Sequence, residues 1–290
     1  MNGYQYNAHF YKVGTFQNPL GALTTSSWSL RVYDSGNNII MQTTSGITAT
    51  TTVNSISVTS STRNSDTKTV GIRSEYYITF TTSTRMLSGS TIMFKFPKDQ
   101  ILYDSTTTCY NGATNLACTF TNVDSNYFQT EITQWCNTGG ECAASSSISL
   151  TLKQAINPGW ILTTYTSSVS IFTINNALTG SPTIDQVTSN VKFSPSLIPG
   201  TLTNINVLKD ATTNKVGEST TYTLSFTVVT VVPAGGQVKF TFPSKALYKD
   251  SSTAIVCKDS AVVTKTCTSV ADSTNNVSTL TITDACTSGC

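Results

Sequence analysis

The sequence predicts an all-β protein built of tandem immunoglobulin-like antiparallel β-sandwich repeats, stapled by disulfides. Three observations carry this reading. Apolar and polar residues alternate with a period of two, in runs rich in β-branched and aromatic side chains. No helix-length segment combines helical spacing with caps. The eight cysteines fall into two copies of one pattern, Cys109, Cys118, Cys136, Cys142, then Cys257, Cys267, Cys286, Cys290.

Equivalent cysteines lie 148 residues apart from Cys109 to Cys257, 149 from Cys118 to Cys267 and 150 from Cys136 to Cys286. Val70-Gly71, Tyr76, Ile78, Phe80, Gly89, Ile92, Phe94 and Phe96-Pro97 return 146 residues later. Their partners are Val216-Gly217, Tyr222, Leu224, Phe226, Gly235, Val238, Phe240 and Phe242-Pro243. A second block pairs Asn18-Pro19 with Asn157-Pro158, and Ser26-Ser27-Trp28-Ser29-Leu30 with Ser167-Ser168-Val169-Ser170-Ile171. Residues 1–50 are therefore expected to be the tail of a preceding repeat, 51–200 a complete repeat and 201–290 the head of a following one. Both ends sit at one phase of the repeat, so a window on a longer repetitive polypeptide, or one link of a filament, is expected.

Each element has its own signal. Residues 28–33 read as a strand of the tail, and 56–58 open the complete repeat. Tyr76, Ile78 and Phe80 share one strand face, as do Ile92, Phe94 and Phe96 on the next strand. Between them Met86-Leu87-Ser88-Gly89-Ser90 is a glycine-bearing turn, and Pro97 ends the second strand where no donor is needed. Further strands are expected at 117–121, 128–133, 148–152 and 169–174, then at 222–228 and 238–242 in the second copy.

For the cysteines, zinc is the rival to disulfides. The spacings C-x8-C-x17-C-x5-C and C-x9-C-x18-C-x3-C lack the two close pairs of a zinc ribbon. Four cysteines allow three connectivities. Asn111-Gly112 between Cys109 and Cys118, and Gly139-Gly140 between Cys136 and Cys142, are turn signals that favour the local pairs, with Cys257–Cys267 and Cys286–Cys290 as their equivalents. Disulfides imply an oxidising compartment.

Charged residues make up only 11% of the chain and the net charge is +2, which argues against a nucleic-acid partner. No apolar run reaches membrane-spanning length, Val228–Val229–Thr230–Val231–Val232 being strand-sized. His9 is the one histidine, so histidine-dependent catalysis and most catalytic metal sites have no support. Asp104, matched by Asp250, reads as a turn cap, with calcium binding alongside Asp99 or Asp124 as the alternative. Gly235-Gly236 lacks the Lys-Ser/Thr and helix of a phosphate loop and reads as a turn. Asn276-Val277-Ser278 is the one N-glycosylation sequon. Trp28, Trp135 and Trp160 are candidates for sugar stacking or, as the plainer reading, for packing, with Trp135 over the disulfide at Cys136.

The string Thr221-Tyr222-Thr223-Leu224-Ser225-Phe226, followed by Val232-Pro233-Ala234-Gly235-Gly236-Gln237-Val238-Lys239-Phe240-Thr241-Phe242-Pro243-Ser244, Tyr248 and Cys257, resembles repeat units of large secreted and cell-surface proteins of ciliates and other protists. That resemblance implies an extracellular β-sandwich array and transfers no functional site. Together these signals lead to an extracellular structural protein, without catalytic site, metal or cofactor, whose modules join end to end into a filament, coat or appendage. Its expected partners are copies of itself or adjacent repeats, with glycans as a further candidate. The alternative is an adhesin or lectin-like module binding glycans or calcium. In the structural reading the 201–290 head is completed by the 1–50 tail of the next copy, either through continuous chain from Cys290 or by non-covalent strand donation.

Overall fold

The computed structural model describes residues 17–133, 135, 141–162, 164–212, 218–230, 232, 235–243, 255–258, 262–271 and 277–286, the side chains of 278 and 284–286 excepted. Among these the secondary structure is strand, with one 3-10 turn at Ser65–Thr67. The chain opens on a hairpin, β1 (Leu30–Tyr33) and β2 (Ile39–Thr43), and continues with β3 (Asn54–Ser55), β4 (Ser57–Arg63), β5 (Arg73–Thr81) and β6 (Thr91–Pro97). Next come β7 (Thr108–Asn111), β8 (Thr114–Leu116), β9 (Thr119–Asn122), β10 (Tyr127–Ile132), β11 (Ser147–Ile156), β12 (Ser170–Ile174) and β13 (Thr183–Val187). The rest are β14 (Thr203–Lys209), β15 (Tyr222–Thr227), β16 (Gly236–Thr241), β17 (Cys257–Lys258), β18 (Thr264–Lys265), β19 (Cys267–Ala271) and β20 (Val277–Cys286).

Strands β3 to β13 make two sheets, ordered β3-β13-β12-β6-β10-β9 and β4-β5-β11-β7-β8. All pairings within them are antiparallel except β3 with β13. The alternation along β5 buries Tyr76, Ile78 and Phe80, and that along β6 buries Ile92, Phe94 and Phe96. These rows enter one core, in which the rings of Phe80 and Phe94 lie 5.8 Å apart, edge to face. The strand expected at 56–58 is longer, because β4 runs on through Ser, Thr and Arg along the β5 edge. β13 escaped the sequence reading, since its buried Ile184 and Asp185 break the alternation. In the β5–β6 connection Ser90 N donates to Leu87 O at 3.1 Å, and Gly89 takes the left-handed φ of 79° that favours glycine.

One end of this unit is closed by buried polar groups. Tyr76 OH donates to Asn157 Oδ1 at 2.6 Å, and Asn157 Nδ2 donates to Thr67 O and Thr69 O. Buried Arg63 donates to Gln100 O at 2.8 Å and to Pro195 O at 2.8 Å, and its guanidinium lies over the Tyr76 ring. Gln100 in turn donates to Ser167 O and accepts from Phe193 N.

The strands after residue 200 pair in registers found earlier in the chain. β14 pairs with β15 as Thr203↔Thr227, Asn206↔Ser225 and Lys209↔Tyr222, and β4 with β5 as Ser57↔Thr81, Ser60↔Thr79 and Arg63↔Tyr76, with an irregularity at the same place. β16 pairs with β20 as Val238↔Ile282 and Phe240↔Leu280, where β6 and β10 give Ile92↔Ile132 and Phe94↔Thr130. The hairpin β1–β2 matches β12–β13 likewise: Leu30↔Thr43, Arg31↔Gln42 and Tyr33↔Ile39 against Ile171↔Val187, Phe172↔Gln186 and Ile174↔Thr183.

Burial pushes the Tyr76 phenol up to about 12. Its neutral form therefore stabilises the fold below about pH 10, where an unfolded tyrosine ionises. That contribution is lost as pH rises through the folded value of about 12. Tyr76→Phe leaves the Asn157 carbonyl without this donor and is expected to lower stability by about 1–3 kcal/mol. It should also blunt the alkaline loss; denaturant midpoints across pH measure both, and an unchanged midpoint at neutral pH refutes the assignment.

Candidate functional site

The site is an unfinished pair of sheets after residue 200 and an exposed hairpin before residue 50. Among the described residues β14 pairs only with β15, and β16 only with β20, which continues to β19. The two sheets face each other across a groove of about 460 Å³, lined by Ile205, Val207, Tyr222, Leu224, Phe240 and Phe242 among others. Phe226 and Phe240 touch edge to face at 6.1 Å, yet both stay half-buried. Tyr222 is 36% exposed where Tyr76 is fully buried. The difference lies in the neighbours: β5 pairs with β11 and β6 with β12, and β15 and β16 have no such neighbours among the described residues.

At the other extreme, β1 and β2 pair only with each other among the described residues. Asp34 holds their connection: Asn38 donates to it from Nδ2 and from its backbone N, and Gly36 from its backbone N, which together keep the carboxyl below its ordinary range. Trp28, Leu30, Val32 and Ile40 are exposed, Leu30 at 61%. The residues that correspond to them by register and sequence, Val169, Ile171, Thr173 and Ile184, are buried. An amphipathic hairpin and an apolar groove are thus both hydrated.

Cys109 and Cys118 are bridged with Cα atoms 6.1 Å apart, across the β7–β8 hairpin, and Cys257 and Cys267 are bridged at the same 6.1 Å. Gly112, at φ 58°, is the first of the two turn residues Gly112 and Ala113 between β7 and β8, so the turn lies one residue later than the Asn111-Gly112 pair. Cys142 is disulfide-bonded. Cys136, the Cys286 side chain, Cys290, Asn276, Asp250 and His9 lie outside the described residues. Trp135 is in the core, its ring 5.9 Å from that of Phe94, whereas Trp28 and Trp160 are exposed. Asp104 caps a turn, accepting from Thr106 N and Oγ1, and forms a bidentate pair with Arg73. Arg73 also donates to Gln154 O, where β11 bulges and Gln154 adopts φ 58°. Asp124 accepts from Asn126 N and Tyr127 N in a separate turn, and burial raises Asp99. Among the described residues no group of His, Cys, Asp and Glu is placed to hold a metal. No helix among them is long and apolar enough to cross a membrane.

No family model and no curated protein matches the chain. Among solved structures, BslA, a bacterial hydrophobin, aligns over 52% of this chain and 99% of its own, at 14% identity and a TM-score of 0.31. A family 20 exo-β-N-acetylglucosaminidase from Vibrio harveyi, in complex with N-acetylglucosamine, aligns over 50% of this chain and 18% of its own, at 16% identity and a TM-score of 0.27. Likenesses this distant carry no argument about function.

The Arg73 guanidinium, with the two Thr106 donors, holds the Asp104 carboxyl well below the usual carboxylate range. Its stabilising effect is present above the unfolded value near about 3.9 and is lost as pH falls through the lower folded value. In a carbon-detected NMR titration Asp104 is expected to stay ionised after ordinary exposed carboxylates have protonated. Arg73→Gln should move its midpoint upward, and an unmoved midpoint would assign the depression to Thr106 alone.

Proposed function

We propose that this is an extracellular structural protein whose immunoglobulin-like β-sandwich modules, arranged in tandem, join end to end into a filament, surface coat or appendage. The observation that carries the reading is the pair of incomplete ends. Among the described residues the groove after residue 200 has no hairpin like the one β12 and β13 form beside β6, and the hairpin before residue 50 has that same pairing register with its apolar face exposed. The recurrence of registers with the cysteine spacing supports tandem modules. The bridges support an oxidising, extracellular setting. Kinship with the protist surface arrays is part of the same proposal.

Apolar burial drives joining. Trp28, Leu30, Val32 and Tyr222 are each about one third to two thirds exposed, so burying what remains is worth about two full side chains, on the order of 3–6 kcal/mol at about 1.5–3 each. Part of that offsets the loss of rigid-body freedom and side-chain ordering. An exposed Trp28 invites a lectin reading, but it stands where Val169 is buried in the complete unit, so packing against a neighbouring module accounts for it.

The chain, oxidised and at rising concentration, is expected to form linear particles in electron micrographs and a growing sedimentation coefficient. Leu30→Asp places a charge on the face to be buried and should hold it monomeric. A folded wild-type chain that stays monomeric throughout would sink the proposal.

A further inference from the structure

We infer that a second copy of this chain joins by antiparallel strand addition in one defined register, its Ser29 to Tyr33 lying along residues 237–241 of the first. The inference rests on the end-to-end reading above and specifies its joint. The template lies within the molecule. β12 pairs with β6 as Ser170↔Lys95, Ile171↔Phe94, Phe172↔Met93, Thr173↔Ile92 and Ile174↔Thr91. β1 has the register of β12 toward its hairpin partner, and β16 has the register of β6 toward its own. Carrying the β12–β6 register across gives Ser29↔Thr241, Leu30↔Phe240, Arg31↔Lys239, Val32↔Val238 and Tyr33↔Gln237. Leu30 and Val32 then face the groove, as Ile171 and Thr173 face the core of the complete unit, and Arg31 and Lys239 meet on the outer face.

The hairpin that fills the groove is not the chain's own. The hairpin segment is anchored at the Thr183 end of the complete unit, where Ala22 N donates to Thr183 O and Asn175 Nδ2 to Leu20 O. The groove segment is anchored at the opposite end, where Thr230 Oγ1 donates to Val70 O. The nine residues of β5 lie between the two ends, about 30 Å of strand. Among its described residues each copy therefore offers an exposed hairpin at one end and an unpaired edge at the other, and successive copies continue along one axis.

A second contact follows from the same template. Asn157 accepts from Tyr76 OH in the complete unit, and the sequence block Asn18-Pro19 repeats Asn157-Pro158. Asn18 and Tyr222 are both exposed, one at each end of the chain. In the joint, Tyr222 OH of one copy donates to Asn18 Oδ1 of the next.

The facing cations make the register testable. Arg31 and Lys239 are both exposed, so their substitution leaves each fold intact, as a melting curve confirms. Sedimentation of the full oxidised chain should show that Arg31→Glu and Lys239→Glu each tighten self-association, on the order of three- to tenfold, by replacing repulsion with attraction. The double variant should return to wild-type behaviour. Asn18→Ala and Tyr222→Phe should each loosen it about two- to tenfold, and together no further than one alone. If the wild type assembles while the charge variants leave the constant unchanged or both weaken it, the register is wrong and the joining stands. If no self-association occurs at any concentration in the folded wild type, the end-to-end reading fails, and the register with it.

Discussion

A central strand has two hydrogen-bonding edges and one core-facing side, and all three have to be covered at once. β6 meets that constraint within the chain: β10 takes one edge, β12 the other, and Phe94 is sealed between the sheets. β16 repeats its apolar face and its pairing with β20, but among the described residues its second edge has no strand on it. A row of uncovered N–H and C=O groups above an apolar groove invites another strand. On the proposed joining that strand is β1 of another copy.

The unit formed by β3 to β13 closes on itself. Its closing end depends on groups distant in sequence: Arg63 reaches Gln100 O, Gln100 reaches Ser167 O, and Tyr76 reaches Asn157. These are buried polar groups, each tolerable only because another segment supplies its partner. The counterpart of Tyr76 is Tyr222, which stays hydrated. On the proposed joining, the apolar layer and the polar closure after residue 200 come from the same segment and are gained together.

Much of the fold was legible in the sequence, for a physical reason. Period-two alternation is local, so Tyr76, Ile78, Phe80, Ile92, Phe94 and Phe96 announced their strands and their buried face. The bridges Cys109–Cys118 and Cys257–Cys267 span short turns and were equally local. What local pattern does not carry is pairing across distance. The parallel contact of β3 with β13 is one example, and the use of buried Asp185 to hold Thr84 N and Oγ1 is another. The Arg73 clamp on the β11 bulge likewise joins three segments that are unremarkable separately. The open edge of β16 was implied only by comparing two copies of the repeat.

A chain with an open edge faces the hazard of sticking to anything extended, and its charge is sparse at 11%. On the proposed register the few charges are well placed to limit this. Lys239 sits on the outer face of the edge strand and Arg31 on the matching face of the hairpin, one cation each, in the middle of the pairing. A Lys in the middle of an edge strand discourages indiscriminate pairing. It also weakens the intended joint, because the partner carries a cation opposite. The apolar face of Leu30 and Val32 is large enough to outweigh one screened surface repulsion. Specificity then comes from the face and the register together: a strand slipped by one residue turns Leu30 and Val32 out to water and Arg31 into the groove. Assembly of this kind is selective because its attraction is apolar and period-two, while its repulsion is a single point that only the correct register leaves in solvent.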